Sequence, residues 1–144
     1  MIKILENEKE INEIMTIWKE TNIKAHDFID QKYWLKNYNL VKEEYIPIAK
    51  TYIYIEKDYI KGFISIIEDS FIGGLFVSID EQGKGIGKKL INHAKSNHKK
   101  LKLAVYKKNN RAVKFYEKMG FVIELEQLNT DTKEAEYIMS FFKS

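Results

Sequence analysis

The chain contains no cysteine, so disulfide bonds, thiolate metal sites and a cysteine nucleophile are excluded. Arg111 is its only arginine, and the net charge of +3 comes almost entirely from dispersed lysines. Nucleic-acid-binding domains instead show clustered arginine and a strongly basic face. A nucleic-acid partner is therefore not expected.

Long hydrophobic runs are missing as well. Residues 1–6 (MIKILE) lack the apolar stretch of a signal peptide, and no segment approaches the length of a membrane span. With 144 residues, of which 44% are apolar and 31% charged, the composition is typical of one globular domain. We therefore expect a single domain over residues 1–144, located in the cytoplasm and without a membrane partner.

Glycine is scarce except around one loop, since five of the seven glycines lie between Gly73 and Gly87. The apolar run 75–79 (LFVSI) in front of the loop predicts a buried strand. Behind the loop, apolar residues recur at helical spacing from Ile86 onwards. A strand, a glycine-rich turn and a helix N-terminus together direct several free N–H groups at an anion. The segment predicts a phosphate-binding loop, with a glycine-rich turn carrying solvated lysines as the alternative.

The spacing of these glycines distinguishes between phosphate ligands. Counting from Gly83, Lys88 stands where both the nucleoside-triphosphate loop and the dinucleotide loop require a glycine. The pattern Gln82-x-x-Gly85-x-Gly87 instead resembles the acyl-CoA pyrophosphate loop of the GNAT superfamily of N-acetyltransferases. The resemblance implies that residues 82–88 bind the pyrophosphate of acetyl-CoA.

A second segment strengthens the resemblance. Residues 105–121 match the pattern V-x-x-x-N-x-x-A-x-x-F-Y-x-x-x-G-F of the second conserved GNAT block, and Asn109 lies 27 residues beyond Gln82. The two motifs therefore occur in the order, and at about the distance, that is typical of the family. The resemblance extends over the whole chain. It is greatest to small bacterial single-domain members, some of which acetylate protein lysines.

Periodicity along the chain predicts an α/β (α+β) fold with the order β-α-α-β-β-β-α-β-α-β-β. The first helix is expected to end near Glu20, and Pro47 is expected to end or kink the second. The pair Gly73 and Gly74 predicts a bulge or a close backbone approach within a strand. The resemblance implies the GNAT fold, a mixed central sheet of about seven strands flanked on both faces by about four helices.

The resemblance also implies which residues form the site. The residues expected to bind the cofactor are Phe76, Val77, Gln82, Gly83, Lys84, Gly85, Ile86, Gly87, Lys88, Asn109, Ala112 and Tyr116. The backbone of Phe76 and Val77 would hold the pantetheine arm, while Tyr116 would also be catalytic by protonating the departing thiolate. The residues expected around the acceptor amine are His26, Asp27, Phe28 and Phe71.

Acetyl transfer from a thioester requires a neutral amine. The side chain of a lysine acceptor has an ordinary pKa of about 10.4, so its deprotonation at pH 7 costs about 4.6 kcal/mol. The candidate bases are His26, Asp27, Glu68 and Asp69. His93 and His98 are expected at the surface, and no metal is expected.

The expected function is an acetyl-CoA-dependent N-acetyltransferase in which a primary amine attacks directly within a ternary complex. The resemblance favours a protein or peptide lysine as the acceptor. The alternatives are a small-molecule amine (a polyamine or an aminoglycoside) and a non-catalytic acyl-CoA-binding module. A tRNA-linked amine has weaker support because the lysines are dispersed.

Overall fold

The computed structural model describes residues 1–143, which form one seven-stranded sheet in the order β1-β2-β3-β4-β5-β7-β6. Its strands and helices in chain order are β1 (Ile2–Ile4), α1 (Glu8–Ala25), α2 (Gln31–Leu40), β2 (Lys50–Glu56), β3 (Tyr59–Ile67), β4 (Phe71–Val77), α3 (Ile86–Asn97), β5 (Lys100–Tyr106), α4 (Asn110–Lys118), β6 (Val122–Leu128) and β7 (Ala135–Phe142). The element order is the predicted one. The sheet is mixed, because β4 and β5 run parallel whereas the other neighbours are antiparallel.

Helices cover both faces of the sheet, as predicted. One hydrophobic cluster joins α3 and α4 to one face, and a second joins α1 and α2 to the other. The alternation along β2 shows the two faces directly: Tyr52 and Tyr54 belong to the α3 cluster, whereas Ile53 belongs to the α1 cluster. None of the helices within residues 1–143 is both long and apolar enough to cross a bilayer.

Helix α1 runs to Ala25, five residues beyond the predicted end near Glu20. The extra residues contain no glycine or proline, and two of them satisfy their buried polar groups along the helix. Thr21 donates its hydroxyl to the carbonyl of Ile17 at 2.6 Å, and Asn22 donates its amide to that of Trp18 at 2.9 Å. The extension matters because it carries the last turn of α1 to the end of β4, where the candidate site lies.

Two local predictions are confirmed. Regular α2 geometry ends at Leu40 and passes through a π-helical turn into a 3-10 turn at Ile46–Ile48, so the helical path ends one residue after Pro47. In β4, the partner of Ser65 is Gly74 and the partner of Ile66 is Ile72, which leaves Gly73 as the extra residue of a bulge.

The sheet opens between β4 and β5. Of the described residues, only Phe71 and Lys102 pair across these two strands. By contrast, β5 pairs with β7 over its whole length, from Lys100 to Tyr106. The two halves of the sheet are therefore joined at the start of β4 and diverge toward Val77, which leaves a gap between the carboxyl ends of two parallel strands.

Candidate functional site

A cavity of about 620 Å³ lies at the open end of β4, between the end of α1, the glycine loop and α4. Its wall consists of residues 21 and 24–26 of α1 and its C-cap, residues 75–77 of β4, most of residues 81–88, and α4 with its N-cap. Phe76 packs with the α1 cluster, whereas Leu75 and Val77 pack with the α3 cluster. The cavity therefore passes through the sheet and is open to groups from both faces.

The glycine loop offers open backbone to this cavity. Gly83 and Gly85 have φ values of +82° and +87°, and no atom lies within 4 Å of where a Cβ would stand at either residue. Gly85 is the N-cap of α3 and provides no side-chain cap, so the first N–H groups of the helix are free to bind an anion. The unpaired half of β4 likewise offers backbone groups at an open edge. Both features fit a ligand with a pyrophosphate and an amide-bearing arm, as CoA has.

Gln82 connects the end of β4 to α4. Its amide nitrogen donates to the carbonyl of Val77 at 3.0 Å, and its amide oxygen accepts from Arg111 at 3.2 Å. Arg111 lines the cavity beside the loop, although neither sequence motif predicted a role for it. Its position two residues after Asn109, in the first turn of α4, was the available signal. Lys84 was expected in the site but does not line the cavity; its side chain is exposed, and its ammonium pairs with Glu81 at 3.1 Å.

Asn109, Ala112 and Tyr116 share the cavity-facing side of α4, as their spacing predicts. The side chain of Asn109 is already engaged by the protein. Its oxygen accepts from the N–H of Ala112 at 3.3 Å as the helix N-cap, and its nitrogen contacts His26 Nε2 at 3.1 Å. Asn109 thus joins α4 to the end of α1 across the cavity.

The Tyr116 side chain is 8% exposed and packs edge-on against Phe115 and Phe121. Burial raises the pKa of its phenol above the usual range, and no residue of the described chain forms a hydrogen bond with the hydroxyl. The phenol is therefore protonated at neutral pH, and its O–H is available to a bound molecule.

His26 lies at the C-cap of α1 and is 9% exposed. Its ring stacks on Trp34 at a centroid distance of 5.3 Å and contacts Phe28 and Tyr106 edge-on. Because the oxygen of Asn109 holds the helix cap, its nitrogen donates to His26 Nε2, which places the imidazole proton on Nδ1. Burial lowers the pKa of His26 to about 4, so the ring is neutral at pH 7.

Several predicted residues are not brought to the cavity. Phe28 stands behind His26, and Asp27 is exposed outside the lining. Phe71 lies where β4 and β5 are still paired and does not line the cavity either. The candidate bases Glu68 and Asp69 form the β3–β4 turn, at the opposite end of β4 from the glycine loop.

The prediction that His98 lies at the surface is wrong, since the residue is 3% exposed. It follows α3 in an extended conformation, which turns its ring into the sheet side of the helix. Its Nδ1 lies 2.6 Å from a carboxylate oxygen of Asp69, and its Nε2 lies 3.2 Å from the Tyr52 hydroxyl. His93 is half-exposed and packs edge-on against the same tyrosine. Neither histidine reaches the cavity.

Comparisons with known proteins agree with this geometry. The chain is 33% identical over 132 residues to the peptidyl-lysine N-acetyltransferase YiaC of Escherichia coli K12, covering 92% of this chain and 90% of YiaC. The solution structure of apo YjaB from Escherichia coli superposes with a TM-score of 0.83 at 25% identity, over 100% of this chain and 99% of that one. A CoA complex of the PaiA N-acetyltransferase of Thermoplasma acidophilum shares the fold, with a TM-score of 0.77 at 20% identity and 99% coverage of both chains.

The family model described as the acetyltransferase (GNAT) domain matches residues 21–132, a range that contains the glycine loop, both strands that border the gap and α4. The chain belongs to the GNAT family of acetyltransferases.

Proposed function

We propose that this GNAT acetyltransferase transfers the acetyl group of acetyl-CoA to a lysine side chain of a peptide or protein in the cytoplasm. The observation that carries the proposal is the cavity through the sheet. The glycine loop opens on the face covered by α3 and α4, and the last turn of α1 lines the same cavity on the other face. An acyl donor and an amine can therefore meet from opposite sides. The relatives named as peptidyl-lysine N-acetyltransferases support lysine as the acceptor.

The residues of the loop and of β4 would hold the donor. Backbone N–H groups from Gln82 to Lys88 bind the pyrophosphate, with Arg111 adding a positive charge at the same mouth of the cavity. The backbone of Phe76 and Val77, at the unpaired edge of β4, binds the amides of the pantetheine arm much as an added strand would. Ala112 leaves room for that arm along α4.

Tyr116 acts as the general acid in this proposal. Acetyl-CoA supplies an activated acyl group whose leaving group is a thiolate, and the phenol of Tyr116 provides the proton. A thiol has a pKa of about 8.5 in water, so transfer from a phenol is uphill there. Burial raises the pKa of the phenol, and desolvation of the departing thiolate in the same cavity would raise its pKa as well and so favour its protonation. The hydroxyl of Tyr116, which lines the cavity and has no protein partner, is available to make this contact.

The cavity wall offers the amine no free base. The lone pair of His26 Nε2 accepts from Asn109, and burial holds the pKa of this histidine at about 4. Glu81 lines the cavity, but its carboxylate pairs with Lys84 at 3.1 Å and with Lys61 at 3.3 Å. We propose that the acceptor lysine loses its proton to water and attacks in its neutral form, and that the protein contributes by aligning it.

The substitution Tyr116→Phe tests the assignment because it removes one oxygen and leaves the packing of α4 in place. General acid catalysis contributes typically 10²–10⁴-fold, so we expect kcat for a lysine peptide to fall by about that factor. Acetyl-CoA affinity and Tm should change little. Released CoA can be followed with a thiol reagent without background, since the protein has no cysteine.

Tyr59→Phe is the matched control, because this tyrosine is 70% exposed and lies outside the cavity. If Tyr116→Phe retains more than about a third of the wild-type kcat, the proton transfer contributes under ~1 kcal/mol and the assignment is wrong. The acceptor is tested with a panel of lysine peptides, spermidine and an aminoglycoside. Turnover confined to the aminoglycoside would contradict the peptide-lysine proposal.

A further inference from the structure

We propose that Lys24 is a self-acetylation site, at which the enzyme transfers the acetyl group of its own bound acetyl-CoA. The inference rests on the proposed function, since it requires the donor to bind in the cavity and the chemistry to accept a lysine amine. It adds a specific modified residue and an intramolecular reaction, which the family relationship does not provide.

The first argument is position. The chain is rich in lysine, yet among the described residues only Lys24 and Lys88 line the cavity. Lys88 lies in the first turn of α3, on the face where the glycine loop would bind the pyrophosphate. Lys24 lies in the last turn of α1, on the opposite face. An acceptor amine must approach from the face opposite the donor loop, and Lys24 already lies there.

The second argument is local chemistry. Lys24 is exposed, and its ammonium pairs with no carboxylate of the described chain. Lysines elsewhere around the site are held in ion pairs, for example Lys61 and Lys84 with Glu81. The side chain of Lys24 also has a flexible four-carbon stem. Lys24 is followed within two residues by His26, which bonds to Asn109 on the helix that carries Tyr116. Because no ion pair holds it, the Lys24 side chain is free to reorient at the cavity that Tyr116 also lines.

The reaction balances without any further reagent. The Lys24 ammonium loses one proton to water, and its Nζ lone pair forms a bond to the thioester carbonyl carbon. The carbon–sulfur bond breaks and its electron pair goes to sulfur, which takes a proton from Tyr116; the nitrogen gives up its second proton, which restores the phenol. The products are Nε-acetyl-Lys24, CoA and one released proton, so the cost of deprotonating the amine is the same as for an external lysine.

The experiment incubates the purified protein with acetyl-CoA alone and follows each lysine by peptide mass spectrometry. We expect Lys24 to gain one acetyl group with a first-order rate constant that does not change when the protein is diluted tenfold. Lys9 is the internal control, because it is also exposed and on α1 but does not line the cavity. Its acetylation should be at least tenfold slower. In Tyr116→Phe, the rate at Lys24 should fall by the factor found for a peptide acceptor.

Lys24→Arg and Lys9→Arg separate the site from the background. The whole-protein acetylation rate should fall in the first variant and stay unchanged in the second. If Lys24 reacts no faster than Lys9, or equally fast in heat-denatured protein, the modification is only chemical acetylation and the proposal is wrong. A first-order rate constant that falls in proportion to protein concentration on dilution would show transfer between molecules and would also overturn it.

A peptide assay in the same samples separates this proposal from the proposed function. Peptide turnover without Lys24 acetylation would reject self-acetylation and leave the proposed function standing. Lys24 acetylation without peptide turnover would reject the peptide acceptor of the proposed function and leave self-acetylation standing. If isothermal calorimetry detects no acetyl-CoA binding, both are rejected.

Discussion

The buried imidazole of His26 predicts a loss of stability in mild acid. Burial lowers the pKa of His26 to about 4 in the folded protein, from an ordinary value of 6.5. Between these two values the unfolded chain binds more protons than the folded one, so the free energy of unfolding rises with pH across this window. Stability contributed by the neutral ring is therefore complete above about pH 6.5 and is lost as the pH falls toward 4.

The magnitude follows from the two pKa values. At pH 5 nearly all unfolded chains carry a protonated His26, whereas about a tenth of folded chains do. Linkage then gives a loss of about 2 kcal/mol between pH 7.5 and pH 5, approaching about 3.4 kcal/mol at still lower pH. The ring is 9% exposed, so solvent screening does little to reduce this figure. Protonation also removes the Nε2 lone pair that accepts from Asn109, which weakens the connection between α1 and α4.

Urea unfolding of the wild type and of His26→Gln at pH 7.5 and pH 5 measures the effect. Glutamine can still accept from Asn109 but does not titrate, so the wild type should lose about 2 kcal/mol more than the variant over this interval. His93→Gln, which removes a half-exposed histidine outside the cavity, is the matched control for the substitution itself. If wild type and His26→Gln lose the same free energy of unfolding to within about 0.5 kcal/mol, His26 is not a buried neutral imidazole with a lowered pKa.

Two further predictions concern the donor loop and the acceptor amine. Gly87→Ala should reduce acetyl-CoA affinity at least tenfold in calorimetry, because the added Cβ stands in the first turn of α3, where the pyrophosphate is expected. Tm should stay near the wild-type value, because this Cβ would meet Phe115 at an ordinary contact distance of 3.5 Å. Unchanged affinity would remove this turn from the site. For a lysine peptide, kcat/KM should rise about tenfold per pH unit from pH 6 to pH 8, because only the neutral amine reacts and its pKa is about 10.4; a plateau near pH 7 would instead reveal a general base in the protein.

The sequence was sufficient to predict the fold and the family because both motifs are local. The glycine loop and the segment 105–121 each depend on residues close together in the chain, where glycine positions and helical spacing have direct physical meaning. Asn109 and Gly85 are recognisable as helix boundaries for the same reason. The end of α1 was placed five residues too early, because nothing in the local sequence indicates that Thr21 and Asn22 would be satisfied along a continuing helix.

What the sequence could not predict depends on contacts between distant residues. His26 and Asn109 are 83 positions apart, and Gln82 and Arg111 are 29 positions apart. His98 was assigned to the surface because it lies near the exposed side of the loop helix, but Tyr52 of β2 and Asp69 of the β3–β4 turn are its partners. In each case the side chain is of a type common at protein surfaces, and only the tertiary fold brings its distant partner to it.

Two glycines in β3 and β4 help to explain the gap between β4 and β5. Pairing β5 along the full length of β4 would satisfy more backbone groups, and an open edge leaves them unpaired unless a ligand binds. The bulge at Gly73 bends β4 directly after its single pairing with β5. Gly62 of β3 then lets α3 approach closely, since a Cβ there would lie 2.9 Å from the carbonyl oxygen of Phe76 and 3.2 Å from Ile86. These two glycines lie outside both family motifs: the bulge at Gly73 coincides with the end of β4–β5 pairing, and Gly62 lets the N-terminus of α3 pack close to β4 beside the opening.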